Sequence, residues 1–283
     1  MRSLLATILL VIFFAGPLSA KEFTGTLQQI QKTGEIKIGY RQSQPPMSFV
    51  DKDGVPIGYS IDICKQIVTE LKNTIGSDVS VKYVSVTAEE RFKALSDNKI
   101  DLLCGATTRT LSRGELVDFT QLTFVTGASF MALKDTKIRN NFAGKKIGVV
   151  KGTTTAVALK KLLGDAQIDA EVVLLKSSAD GVKALENGEI DALSADQIVL
   201  IGLAITTKNP KVFSILPDLF SYEPFALAVR RNDADFRLVA DRVISDLYRS
   251  KMILKIYDKW VGKFSKNRPS AFEALVELNA IPE

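Results

Sequence analysis

The sequence predicts an α/β chain folded as two similar lobes with a cleft between them. Three observations carry this expectation. Strand-like apolar runs alternate with amphipathic helical ones through most of the chain, and the same order of elements starts again at Gly144. An internal echo supports the repeat: Lys93-Ala94-Leu95 followed by Ile100-Asp101 recurs, with identical internal spacing, as Lys183-Ala184-Leu185 followed by Ile190-Asp191. Open α/β sheets bind ligands beyond the carboxyl ends of their strands, so functional residues are expected at strand ends facing the cleft.

The first twenty residues read as an export signal. Arg2 supplies the positive start, residues 4–14 are apolar, and Gly16-Pro17-Leu18-Ser19-Ala20 breaks the run before charged Lys21-Glu22. The apolar stretch is short for a membrane span, and no Cys near the cleavage site offers a lipid attachment point. Cleavage after about Ala20 and a periplasmic location are therefore expected. The first lobe then predicts a strand over residues 36–40, a helix over 61–71, a strand over 79–84, a helix over 89–95 and a strand over 100–104. The second predicts strands over 146–150, 171–175 and 190–193, with helices over 155–163 and 179–185. Residues 235–249 and 252–261 read as amphipathic helices returning to cover the first lobe, with Leu238, Val239, Val243, Leu247, Ile253, Ile256 and Trp260 as apolar positions. The expected division is residues 21–124 plus 225–283 for one lobe and 125–224 for the other.

Composition narrows the chemistry. The chain has 283 residues, 37 Lys+Arg against 32 Asp+Glu, 46% hydrophobic residues and no histidine. Disordered and fibrous classes are excluded, and the length supports a sizeable core. Without histidine, Ser-His-Asp and Cys-His catalysis and the usual zinc sites are unavailable. No cofactor or metal is expected. Acidic residues interrupt every basic stretch, so the net charge of +5 does not indicate a nucleic-acid partner. Cys64 and Cys104 both lie in apolar patterns and read first as buried thiols, while an oxidising compartment leaves a bridge between them open. Asp51-Lys52-Asp53-Gly54 lacks the further ligands of a calcium loop and reads as a surface turn. Gly148 to Gly152 lacks the lysine-hydroxyl ending of a P-loop, and Lys151 could face cleft or solvent.

Several motifs, in order, resemble one family. Leu27, Ile30, Gly34, Ile36, Ile38 and Gly39 come first, then Asp53-Gly54 with Gly58-Tyr59-Ser60-Ile61-Asp62. Residues 101–108 are followed by Arg113 and Val117-Asp118-Phe119-Thr120, and Gly144-Lys145-Lys146-Ile147-Gly148-Val149 by Gly152-Thr153-Thr154. Together these resemble the extracellular amino-acid-binding proteins of ABC importers, over almost all of the mature chain. The resemblance implies a two-lobed type II periplasmic-binding-protein fold, closing on its ligand about two crossing segments near residues 121–127 and 220–228. It also implies a monomer that delivers a small amino acid to an inner-membrane permease.

An amino acid held between lobes is a zwitterion, so the site must offer a fixed cation and a fixed anion. Arg113 is the candidate for the α-carboxylate, the role an arginine has at this position in the family, because a guanidinium presents a planar fork to both oxygens. Thr108 and the backbone around Ala106 would add donors, and the Gly152-Thr153-Thr154 loop offers backbone N–H groups from the other lobe. Asp196 resembles the family's ammonium-binding acid; its alternative role is to cap a helix over residues 197–203. Arg41 stands where members for basic amino acids carry an acid, and Arg91 matches a second arginine of members that bind glutamate and aspartate. The resemblance thus implies an acidic ligand, because an apolar or cationic side chain would leave these guanidinium groups desolvated and unpaired.

Four positions depart from that pattern. Ser178 stands where acidic-ligand members can place a histidine, Ala88 replaces a small hydroxyl residue, Ala106 replaces a serine, and Met47 follows Pro46 where an aromatic is commoner. These leave the side-chain subsite open to glutamine or a related amide. The same fold also hosts periplasmic dehydratases acting on cyclic carboxylates, which need a positioned acid besides their arginines. The sequence offers none that the role of Asp196 does not explain. A sensor module reporting to a receptor is a further alternative.

Overall fold

The structure, a computed structural model, describes residues 22–136, 138, 141–264 and 268–283; the predicted export signal lies outside them. The chain opens with helix α1 (Gly25–Thr33) and strand β1 (Glu35–Tyr40), followed by a small sheet of β2 (Ser43–Gln44), β3 (Ser48–Val50) and β4 (Pro56–Ile57). Helix α2 (Tyr59–Ile75), β5 (Ser80–Ser85), α3 (Arg91–Ser96) and β6 (Leu102–Cys104) complete the first βαβαβ run. Strands β7 (Val117–Thr126) and β8 (Ala128–Leu133) lead across to the second lobe through Gly127. There the chain forms β9 (Lys146–Val150), α4 (Thr154–Asp165), β10 (Glu171–Leu175), α5 (Ser178–Glu186), β11 (Ala192–Asp196), α6 (Gln197–Thr206) and β12 (Phe213–Ile215). It returns through β13 (Glu223–Arg230) and ends in α7 (Ala234–Arg249), α8 (Met252–Trp260) and α9 (Ser270–Leu278).

The two large sheets have the same plan. One runs β5-β1-β6-β13-β7 and the other β10-β9-β11-β8-β12. In each, the first strand of a βαβαβ unit sits between the second and third, parallel to both, and the third pairs antiparallel with a strand from the crossing region. The echoed Ile-Asp pairs occupy equivalent places. The Asp101 carboxylate accepts from the backbone of Lys37, and Asp191 accepts from Lys146, each at 2.8 Å. Ile100 and Ile190 pack over Gly39 and Gly148, where a Cβ would lie 2.4 and 2.6 Å from the isoleucine Cδ1. The spacing survives in both lobes because the aspartate ties the start of the third strand to the first, and the glycine makes room for the isoleucine.

Elements differ from the predicted limits chiefly at their ends: α2 starts at Tyr59 instead of residue 61, whereas α3 starts at Arg91 instead of residue 89 and β6 at Leu102 instead of residue 100. The third strand of the second lobe lies later than expected, at Ala192–Asp196. Helix α7 does cover the first sheet, packing on β7 and α2, but its buried face is Phe236, Val239, Ala240, Ile244, Leu247 and Tyr248. Leu238 is exposed, one helical step off that face. Of the two readings left open for the cysteines, the structure has the bridge and not the buried thiols: Cys64 of α2 and Cys104 of β6 form a disulfide with Cα atoms 6.5 Å apart. The reason is tertiary, since α2 packs against β6 and brings the two side chains together.

The lobes are in contact. Helix α6 lies against the β2–β3 corner so closely that a Cβ on Gly202 would meet the Pro45 carbonyl oxygen at 2.2 Å. One continuous buried cluster contains Met47 and Tyr59 from the first lobe and Leu200 and Leu203 from α6. Lys151, at the end of β9, reaches Glu89 of the first lobe at 2.8 Å, so it lies on the rim of the cleft. Asp51 closes the turn to β4 by accepting from the backbone of Asp53 and Val55, as expected of a surface turn.

Candidate functional site

The βαβαβ units point the carboxyl ends of β1, β6, β9 and β11 at one another across the interlobe gap. Arg41 follows β1, Arg91 starts α3, and Arg113 starts a short 3-10 turn after the loop that leaves β6. Arg41 and Arg91 are buried, at 4% and 2% exposure. The Arg41 stem passes over Gly105, where even a methyl group would come within 3.2 Å of its Cγ. Arg91 and Arg113 share the ring of Phe92, their guanidinium carbons 4.6 and 5.3 Å from its centroid. Both also reach across the gap to the Gly152 carbonyl, at 3.3 and 3.4 Å. Arg91 is anchored further by the Ala88 carbonyl, and Arg113 by the Thr108 carbonyl at 2.8 Å. Gly152 has φ +78°, and a Cβ there would press on Ala88 and Glu89 at 3.0 to 3.2 Å, so glycine permits this approach.

Asp196 ends β11 and occupies the cap position of α6, yet its side chain makes no capping bond. The capping alternative is therefore not what holds the carboxylate; its Oδ1 is buried without a partner. Burial and the neighbouring Glu223 push its pKa up to about 8, against the pull of Arg113 and Arg91. The arginines show the complementary strain. Burial lowers Arg41 to about 10, with Asp196 opposing. Arg91 is lowered well below the usual guanidinium range by burial and then by Arg113 and Arg41. Arg113 is lowered by burial, with Glu223 and Asp196 opposing. Three guanidinium groups crowded in a partly dry space favour an additional anion.

Glu223, which the sequence reading did not single out, is a second acid of the site. At 1% exposure, its Oε2 accepts from the hydroxyls of Thr108 at 2.5 Å and Thr154 at 2.6 Å, and its Oε1 accepts from Ser221 at 2.7 Å. The Thr108 hydroxyl, expected as a donor to a ligand, has its single proton committed to Glu223, which leaves it able only to accept. The Thr153 hydroxyl is likewise engaged: it accepts from Ala156 as the cap of α4 and donates to the Val150 carbonyl. Ala106 is buried on the loop after β6. Ser178, at the start of α5, lines a small cavity with Gln44, Thr153, Thr155, Ser194 and Asp196. Gln44 Oε1, Thr155 Oγ1 and Asp196 Oδ1 around that cavity, and Arg91 Nε nearby, are buried polar atoms without partners. Such atoms each cost about 1–3 kcal/mol, which a polar ligand bonding to them would recover. The site therefore brings Arg41, Arg91, Arg113 and Asp196 together and adds Gln44 and Glu223.

Comparison with known proteins agrees with this architecture. The chain is 32% identical to the L-glutamate/L-aspartate-binding protein of Pseudomonas aeruginosa over 91% of its own length and 87% of that protein's. It is 30% identical to the glutamate/aspartate import solute-binding protein of Escherichia coli, over 90% of this chain and 86% of that one. Among solved structures, the solute receptor for L-cysteine of Neisseria gonorrhoeae superposes with a TM-score of 0.76 at 25% identity, covering 87% of this chain and 98% of that one. All three are named as binding proteins or receptors for solutes. Residues 36–263 match the bacterial extracellular solute-binding proteins, family 3, and the chain belongs to that family.

Proposed function

We propose that this protein is the periplasmic substrate-binding component of an ABC amino-acid importer, and that it binds an acidic amino acid, L-glutamate or L-aspartate, between its lobes. The observation that carries the acidic assignment is the trio of Arg41, Arg91 and Arg113, converging at one interlobe site where, among the described residues, Asp196 and Glu223 are the acids acting on them. With all five charged, the site stands at +1, and an acidic amino acid carries −1. Arg113 takes the α-carboxylate, Asp196 the ammonium, and Arg41 and Arg91 the side-chain carboxylate. A carboxylate replacing the neutral Gly152 carbonyl gives Arg91 and Arg113 an acceptor that also carries the opposite charge and can take both prongs of a guanidinium fork.

A neutral or basic side chain would leave Arg41 and Arg91 buried without a counter-ion, and the unpaired charge is what rejects it. The names of the two glutamate/aspartate-binding relatives support the same ligand class. Glu223 is the further acid that the sequence reading lacked for a dehydratase. Its two oxygens accept from three hydroxyls, an arrangement suited to holding lobes and not to handing a proton to a substrate. Lobe motion would be absorbed where β7 leaves for β8 at Gly127 and where β13 begins, the β7–β13 ladder being irregular near Ala226. A thermal-shift screen over the twenty amino acids tests the reading. Glutamate or aspartate should raise the melting temperature, in line with RT ln(1 + [L]/Kd), and lysine, histidine and leucine should not. The reverse ranking would reject the role given to Arg41.

A further inference from the structure

We propose that Glu223 is an interlobe latch: its carboxylate gathers the hydroxyls of Thr108 and Thr154, one from each side of the cleft, and so sets the balance between closed and open forms on which ligand affinity depends. The placement is specific. Glu223 is the first residue of β13, paired with Thr126 immediately before the crossing at Gly127, so it sits at the hinge and not on a face that either lobe carries away. Thr108 belongs to the loop after β6 of the first sheet, and Thr154 is the first residue of α4 in the second lobe. Both hydroxyls converge on one oxygen, and they lie 3.2 Å from each other. Opening the cleft carries Thr154 away from both partners.

Three features make this a latch instead of an ordinary buried hydrogen bond. The acceptor is a carboxylate, which strengthens each bond relative to a neutral acceptor. Ser221 holds the other oxygen at 2.7 Å, which fixes the carboxylate in place before Thr154 arrives. Neither threonine hydroxyl has a proton left for a carboxylate ligand, so the triad acts on closure without supplying the ligand donors assigned to the arginines. Because only the closed form binds from both sides, the apparent Kd equals the intrinsic one divided by the closed fraction.

The inference does not depend on which amino acid is bound, although its affinity arm uses the ligand proposed above. The experiment is small-angle X-ray scattering of the unliganded mature protein, with L-glutamate titrations, for wild type, Thr154→Val, Glu223→Gln and the double variant. Thr154→Val keeps the side-chain shape and the Thr108–Glu223 bond, so it tests the interlobe arm even if Glu223→Gln fails to fold. The expected result is a shift of the scattering curve toward the open form in Thr154→Val, a Kd weaker by roughly tenfold, and no further loss in the double variant. A scattering curve equal to wild type, or losses in Kd that simply multiply, would overturn the latch. If glutamate does not bind wild type, the acidic-ligand reading fails, and the scattering arm alone still decides the latch.

Discussion

Gly202 of helix α6 lies directly under the Pro45 carbonyl, so that a methyl group on its Cα would meet that oxygen at 2.2 Å. A helix-interior glycine ordinarily costs about 1 kcal/mol relative to alanine. Here it allows the second lobe to seat on backbone atoms of the first, which cannot swing aside as a flexible side chain would. Gly202→Ala is therefore expected to lower the unliganded melting temperature, because the added methyl meets backbone in the seated form, and to weaken amino-acid binding by at least about tenfold through lost closure. Calorimetric titration alongside a thermal melt checks both halves. Wild-type affinity in the variant would show that α6 does not have to seat there.

Arg113 is tied to both lobes, through the Thr108 carbonyl and the Gly152 carbonyl. In the proposed complex it faces the α-carboxylate that every amino acid has. Arg113→Ala should then abolish binding of all amino acids alike, a loss on the order of 10²-fold or more for one partner of a buried charge pair. Titration of the variant with each wild-type ligand decides it. Normal binding would mean that the site has been misplaced.

The carboxyl of Asp196, with a pKa pushed up to about 8, faces Glu223 as well as Arg91, Arg113 and Arg41. An acid raised in the folded state holds its proton in the native protein between about pH 4 and 8 while the unfolded chain has lost it. Its contribution to unliganded stability is therefore complete below about pH 4, falls as pH rises from about 4 to 8, and is fully lost above about 8. An arriving ammonium favours the ionised form, so ligand binding at pH 7 should release close to one proton. Titration calorimetry in buffers of different ionisation enthalpy measures it, and Asp196→Asn should remove it. Binding without proton release contradicts the pairing of Asp196 with the ammonium.

The Cys64–Cys104 bridge closes a loop with a sequence separation of 40. Loop-closure entropy for that length is worth about 4 kcal/mol. Changing both cysteines to alanine should lower the melting temperature by roughly 10 °C in a domain of this size. A reduced protein that melts like the oxidised one would show that the bridge adds nothing beyond the packing of α2 on β6.

Much of this architecture could be read from local pattern. Strands β9 and β10 fall at the predicted residues, because each is a short β-branched run bounded by charged or turn residues. The Ile-Asp echo revealed the repeat because one small constellation, an aspartate on a backbone N–H and an isoleucine over a glycine, serves both lobes. What could not be read depends on distant partners. Glu223 sits in Ser221-Tyr222-Glu223-Pro224, which looks like a polar turn, and its partners lie 115 and 69 residues away along the chain. Its one local signal is an acid opening a strand that is otherwise apolar through Val229. The disulfide likewise depended on where α2 crosses β6, and Leu238 on a helix orientation that periodicity fixes only to within a step.

In the proposed complex, three converging arginines select a second carboxylate on the ligand. Parallel calorimetric titrations of wild type and Arg41→Asp with L-glutamate, L-aspartate, L-glutamine and L-arginine test it most directly. Wild type should bind one of the acids at least about 100-fold more tightly than glutamine and should not bind arginine, and Arg41→Asp should lose most of this preference. Equal or tighter binding of glutamine or arginine by wild type, or an unchanged preference in the variant, would contradict it.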